Sequence, residues 1–101
     1  MTSSVQPKIW NNCMAITFQE GESCIYTSCN VKLDSELLVE YAAEGEIIQY
    51  RGANSGTGHF LLKCANNGGA ASLHLAPDTA LLEGSWVEDG MNGMWKILLK
   101  D

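Results

Sequence analysis

The sequence predicts an all-β domain, an antiparallel meander of about eight short strands that closes as a small barrel or folds as a sandwich. Turn signals recur roughly every ten to fifteen residues, and the runs between them alternate apolar and polar side chains. A chain of 101 residues is long enough for one hydrophobic core. We therefore expect one domain over residues 1–101, with a flexible tail at residues 1–8.

Residues 81–99 form the most clearly specified element, two strands joined by a tight turn. Asp89-Gly90 supplies the positive φ angles that a two-residue hairpin turn requires. The predicted pairs are Leu82 with Ile97, Glu83 with Lys96, Gly84 with Trp95 and Trp86 with Gly93. Because Trp95 then faces a glycine, we expect a larger residue at position 84 to collide with the indole.

The N-terminal third contains one hairpin between irregular segments. Its two strands, residues 13–18 and 24–28, turn around Glu20-Gly21. Asn11-Asn12 is a turn signal ahead of the first strand, and we expect residues 29–36 to be a connection.

Residues 37–43 fit two structures. One is a short helix near residues 34–44, with a polar cap at its start and Gly45 at its end. The other is a hairpin that turns at Glu44-Gly45 and pairs the segment with residues 46–51. The resulting pairs are Val39 with Tyr50 and Tyr41 with Ile48. These pairs share one face, which favours the hairpin.

The next part of the chain contains a glycine-rich loop and a further hairpin. Residues 52–58 lack the lysine and hydroxyl that follow a phosphate-binding loop, so we expect a wide hairpin loop. The strands at residues 59–64 and 70–75 are joined by a turn at Asn67-Gly68, and Pro77-Asp78 ends the second strand. The expected pairs are Leu62 with Leu73 and Phe60 with Leu75.

Charge and cysteine content argue against several classes of protein. A formal charge of -6 without a basic cluster argues against nucleic-acid binding. The sequence shows neither an apolar run long enough for a membrane helix nor a secretion signal, so we expect a cytoplasmic protein. The cysteines lack the paired spacing of a zinc site, which favours free thiols over disulfides or a metal. They are Cys13, Cys24, Cys29 and Cys64. We expect no metal and no cofactor.

The C-terminal half resembles small uncharacterised bacterial all-β proteins. The resemblance lies in Gly56-Thr-Gly-His-Phe-Leu-Leu62, in Ser72-Leu-His74 and, most specifically, in Leu82-Glu-Gly-Ser-Trp-Val-Glu-Asp-Gly-Met-Asn-Gly-Met-Trp-Lys-Ile-Leu98. It implies no established activity and no catalytic residues. The Gly84-x-Trp86 element is also similar to the tryptophan element of lipocalin- and avidin-like barrels. That likeness concerns architecture alone, because those families carry the element near the N-terminus.

Apolar side chains also occur on the face that points away from the tryptophans. A monomeric barrel should expose that face to water, so a homodimer would explain the apolar surface. The residues of this face are Leu38, Ile47, Leu61, Leu81, Val87, Met94 and Leu98.

Three functional hypotheses follow. The first is a barrel that binds an apolar or cationic small molecule. Its candidate ligand-binding residues are Trp86, Trp95, Tyr41, Tyr50, Phe60 and His59. The second is an interaction or accessory protein of the mobile gene-cassette type, with a filled barrel and a basic protein partner. The third is a small hydrolase- or isomerase-like enzyme that uses His59 or His74 for proton transfer. No catalytic signature supports the third, so a non-enzymatic role is favoured.

Overall fold

The computed structural model describes residues 7–65, 68–75 and 79–101, and these residues form eight strands and no helix. The strands are β1 Lys8–Gln19, β2 Glu22–Leu33, β3 Glu36–Ala43, β4 Glu46–Ala53, β5 His59–Cys64, β6 Ala70–Leu75, β7 Leu81–Glu88 and β8 Met91–Leu98. Each strand pairs antiparallel with the next, and β8 pairs with β1, so the sheet closes as a barrel. The barrel prediction is therefore confirmed. The sandwich and the short helix near residues 34–44 are wrong.

Three tight turns set the register of the meander. Glu20-Gly21, Glu44-Gly45 and Asp89-Gly90 all have positive φ angles at both residues, as type I′ hairpin turns require. All three were predicted. The pairs predicted for the two later hairpins are confirmed as well, including Val39 with Tyr50 and Gly84 with Trp95.

The first hairpin is longer than the sequence predicted. β1 and β2 each run for 12 residues, so the connection expected at residues 29–36 is wrong: β2 continues to Leu33, and β3 begins at Glu36. The turn expected at Asn11-Asn12 is wrong too, because β1 continues through these residues. The β1–β2 register shifts between Trp10 and Cys13, so the pair forms a β-bulge. A bulge uses the same polar residues as a turn but keeps the chain in the sheet.

The register of the β5–β6 hairpin differs from the prediction by two residues. Phe60 pairs with Leu73, and His59 pairs with His74. The cause is a longer connection, because the backbone N–H of Cys64 donates to the carbonyl of Gly69 at 2.8 Å. A shift of two keeps every side chain on its predicted face. Residues 1–6 of the predicted tail, Asn67 of the predicted turn and the predicted break at Pro77-Asp78 lie outside the described residues.

Side chains from all eight strands fill most of the barrel interior. Burying this apolar surface is the main favourable term in the stability of the fold. The buried residues are Cys13, Ala15, Cys29, Val31, Leu37, Val39, Tyr41, Ile48, Tyr50, Phe60, Leu62, Cys64, Ala71, Leu73, Leu82, Trp95, Ile97 and Leu99. The described part of the chain contains no helix with the length and hydrophobicity that a bilayer crossing demands.

Glycines mark three corners where the sheet bends sharply toward its neighbouring strand. A Cβ atom at Gly52, Gly84 or Gly93 would approach a backbone oxygen of the adjacent strand to 2.0, 1.8 or 2.1 Å. Such positions accept glycine alone, and kinks of this kind let a sheet close. At position 84 the obstruction is the carbonyl oxygen of Ser72, not Trp95 as the sequence suggested.

Candidate functional site

The barrel is open at the end that carries the three tight turns. A cavity of about 210 Å³ lies there, and we call it the mouth cavity. Its aromatic lining consists of Tyr26, Tyr41, Tyr50, Trp86 and Trp95, and its other lining residues are Thr17, Gln19, Cys24, Glu88 and Met91. A neighbouring, wider space of about 420 Å³ shares Cys24, Tyr26, Tyr41 and Glu88 with it. We call that second space the rim cavity.

The aromatic rings of the mouth cavity contact one another in pairs. Tyr26 and Tyr41 have ring centroids 4.8 Å apart, and Tyr50 meets Trp95 edge-on at 5.3 Å. Such contacts hold large rings in fixed orientations. Trp86 lies against the bare backbone of Gly93, and its indole N–H donates to the carbonyl of Met94 at 3.2 Å. The result is a preformed aromatic wall around an open space.

Two polar groups of the lining residues differ in their hydrogen bonding. The Tyr50 hydroxyl donates to Oε2 of Glu88 at 3.2 Å, which holds a carboxylate at the cavity. Trp95 is 1% exposed, and no described residue accepts a hydrogen bond from its Nε1. A buried N–H without an acceptor is costly, so each such group in a native protein calls for an explanation.

Two phenols of the mouth cavity, those of Tyr26 and Tyr41, are neutral at physiological pH. A hydrogen bond with Cys24, followed by burial, raises the pKa of Tyr26 to about 12. Burial is the main cause that raises the pKa of Tyr41, and the negative charge of Glu88 adds to it. The formal charge in the lining of the two cavities therefore comes from carboxylates.

Four of the six predicted ligand-binding residues come together here: Trp86, Trp95, Tyr41 and Tyr50. Phe60 is 2% exposed and belongs to the core, away from the lining of either cavity. His59 lies exposed on the outer face of the barrel. Its Nδ1 is 2.6 Å from Nδ1 of His74, and neither histidine lines the mouth cavity or the rim cavity.

Sequence reasoning missed Tyr26 and Glu88. Tyr26 pairs with the buried Ala15 and points inward. Its direction could not be inferred from strand alternation, because the bulges between β1 and β2 interrupt that alternation. Glu88 directly precedes the Asp89-Gly90 turn, and a carboxylate beside a turn is usually an exposed charge at the edge of a strand. Its inward role follows from the register of β7, where Trp86 lies two residues earlier and points to the same face.

All four cysteines are free thiols. Cys13, Cys29 and Cys64 are buried, and Cys24 is exposed beside the mouth cavity. Burial raises the pKa of the Cys29 thiol to about 12 and also raises that of Cys13. Among the described residues no group of three or more histidine, cysteine or acidic side chains is placed to hold a metal ion.

The opposite end of the barrel has a cavity of about 520 Å³. Trp10, Leu33 and glycines of the 54–58 loop line it. Asn54 ties this loop to the β2–β3 turn, because its backbone N–H donates to the carbonyl of Ser35 at 3.0 Å. The described residues of its lining include one aromatic residue and one lysine.

Fold and site together define an up-and-down β-barrel with one open, aromatic-lined end. In comparisons with known proteins, no family model, no curated protein and no solved structure matches this chain.

Proposed function

We propose that this protein binds a small molecule in the mouth cavity. The observation that carries the proposal is an open cavity with five aromatic side chains in its lining and the Glu88 carboxylate held at it by the Tyr50 hydroxyl. Ligand sites are typically concave and mostly apolar, with a few placed polar groups. Barrels of eight strands are just wide enough inside for side chains or one small ligand.

The size of the mouth cavity limits the ligand. Its volume of about 210 Å³ equals the share of about seven water molecules in the liquid, at roughly 30 Å³ each. A compact molecule of fewer than about ten heavy atoms fits this space. The cavity at the opposite end is larger, but its described lining residues include a single aromatic side chain, Trp10.

A thermal-shift screen of small compounds tests the proposal. A true ligand should raise the melting temperature and protect Cys24 from alkylation, because that thiol lines both cavities. Both effects should disappear in Thr17→Leu, which fills part of the mouth cavity. They should persist in Thr27→Leu, the same change at an exposed position outside the mouth cavity. A screen without any compound that meets these conditions would contradict the proposal.

A second candidate function is self-association through the outer face. Leu61 is 81% exposed and Met94 is 56% exposed. They belong to one row across the sheet in which Leu61 pairs with Ser72, Ser72 with Ser85, and Ser85 with Met94. The row carries no charge although the chain has a net charge of -6, so a second copy can approach there with the least repulsion. We propose a homodimer that covers this row, with Val87 at its edge.

Native mass spectrometry distinguishes this dimer from a monomer. The wild type should have the mass of two chains, and the double variant Leu61→Asp with Met94→Asp should have the mass of one. Ile9→Asp is the control, since Ile9 is 53% exposed in β1 outside this row. A monomeric wild type, or a dimer that survives the double variant, would rule out this interface.

We also propose the cytoplasm as the location of the protein. Four free cysteines, one of them exposed, suit a compartment that keeps thiols reduced.

A further inference from the structure

We propose that the mouth cavity selects a small ammonium ion, quaternary or methylated. This inference rests on the proposed function, because it names the chemical class of ligand for the same cavity. Three features of the site support it: the sign of the charge, the neutrality of the rings and the size.

The lining of the two cavities carries negative charge without a positive partner. Glu88 lines both cavities, and Glu44 and Glu46 line the rim cavity. None of the described residues that line either space is a lysine, an arginine or a histidine. The ion pairs of Lys32 with Asp34 and of Arg51 with Glu36 involve none of these three glutamates. The potential inside the mouth is therefore negative, which favours a cation and repels an anion.

The aromatic wall suits a cation that is weakly hydrated. Trp86, Tyr26 and Tyr41 line the mouth cavity as neutral rings, since the pKa of Tyr26 is raised to about 12 and that of Tyr41 is raised as well. Aromatic rings attract ammonium groups through their quadrupole, and the recognition of quaternary ammonium ligands by aromatic cages follows this chemistry. A strongly hydrated metal ion would gain little from such a wall.

The size of the mouth cavity limits the cation. Its volume of about 210 Å³ admits an ammonium ion of about seven heavy atoms.

Calorimetric titration with choline and with 3,3-dimethyl-1-butanol tests the inference. The two molecules share a shape and a hydroxyl, but carbon replaces the charged nitrogen in the second. At low ionic strength we expect choline to bind at least tenfold more tightly. Glu88→Gln should weaken the binding of choline about tenfold and leave the binding of the neutral isostere unchanged. Glu83→Gln is the matched control, because Glu83 is exposed on the outer face and pairs across strands with Lys96.

The outcomes separate the ligand class from the proposed function. If the isostere binds as tightly as choline, or if only neutral or anionic compounds from the thermal-shift screen bind the mouth cavity, the cation inference is overturned and the proposed function stands. If neither molecule binds and the screen yields no ligand, both fail. Tenfold preference for choline that depends on Glu88 and not on Glu83 supports both.

Modification of Cys24 gives a second readout that does not depend on affinity. Cys24 is the exposed thiol at the mouth, and the other three cysteines are buried. The ratio of its rates with a trimethylammonium-ethyl methanethiosulfonate and with the sulfonate analogue should exceed the same ratio for free 2-mercaptoethanol several-fold, because the potential at the mouth is negative. Glu88→Gln should reduce that excess more than Glu83→Gln does. A wild-type ratio no larger than that of the free thiol would overturn the inference.

Discussion

Replacing Gly84 by alanine tests the closure of the barrel at one of its corners. The new Cβ would lie 1.8 Å from the carbonyl oxygen of Ser72 and 3.0 Å from Cα of Leu73. An ordinary carbon–oxygen contact is about 3.3 Å, so the two strands must separate by roughly 1.5 Å. The obstruction is backbone and cannot rotate away. Overpacking of this kind lowers the free energy of unfolding by about 1 to 3 kcal/mol. Because separating the strands also strains the hydrogen bonds between them, we expect a loss near the upper end of this range, about 3 kcal/mol.

Urea denaturation followed by tryptophan fluorescence measures this loss, and a thermal melt provides a second estimate. A loss of about 3 kcal/mol corresponds to a fall in the melting temperature of roughly 12 to 24 °C for a domain of this size. Gly21→Ala is the control, because position 21 has open space but a φ of +82°. It should cost only the left-handed backbone penalty of about 1 to 2 kcal/mol. If Gly84→Ala costs no more than Gly21→Ala, the reasoning on the corner glycines is refuted.

Two further predictions concern the thiols. Stability should fall as the pH rises above about 9, because the unfolded Cys29 thiol loses its proton near its ordinary pKa of 9.0 while the folded thiol keeps it up to about 12. The expected slope from this group is up to about 1.4 kcal/mol per pH unit, and Cys29→Ala should flatten it in urea titrations at stepped pH. Under native conditions iodoacetamide should add a single label, at Cys24, because the other thiols are buried. Rapid labelling of a second cysteine, detected by intact mass, would contradict the described burial.

The sequence predicted the hairpins whose turns carry a local signal. An acidic residue followed by glycine at Glu20-Gly21, Glu44-Gly45 and Asp89-Gly90 specifies positive φ angles, and the register of the adjoining strands follows from the turn. This chemistry is local, so it can be found without knowing the fold. For β3, β4, β7 and β8 the turns also indicated which side of each strand faces the interior, whereas the bulges between β1 and β2 obscured it in the first hairpin.

The errors occurred where the local signal fits two structures. Asn11-Asn12 fits a turn and a bulge equally, and the long pairing of β1 with β2 decides between them. Asn67-Gly68 fits a two-residue turn, yet the closing hydrogen bond between Cys64 and Gly69 belongs to a longer connection. In both places pairing between distant residues outweighs the preference of a dipeptide.

The candidate site could be predicted in part. Trp86, Trp95, Tyr41 and Tyr50 follow from strand alternation, so their shared face was visible in the sequence. Which end of the barrel they reach depends on the stagger between strands, and no dipeptide encodes that stagger. For the same reason the approach of Glu88 to the Tyr50 hydroxyl could not be read from residues 38 positions apart.

The indole N–H signals of the three tryptophans provide the most direct test of the mouth cavity as the ligand site. Trp86 and Trp95 line that cavity, and Trp10 lines the cavity at the opposite end of the barrel. In a nitrogen-15 correlation spectrum, choline and then its neutral isostere are added to separate samples of the wild type. We expect at least one of them to move the Trp95 and Trp86 signals and to leave Trp10 in place. Movement of Trp10 alone, or of none of the three with these two molecules and with every compound that raises the melting temperature in the screen, would contradict a ligand site at the mouth.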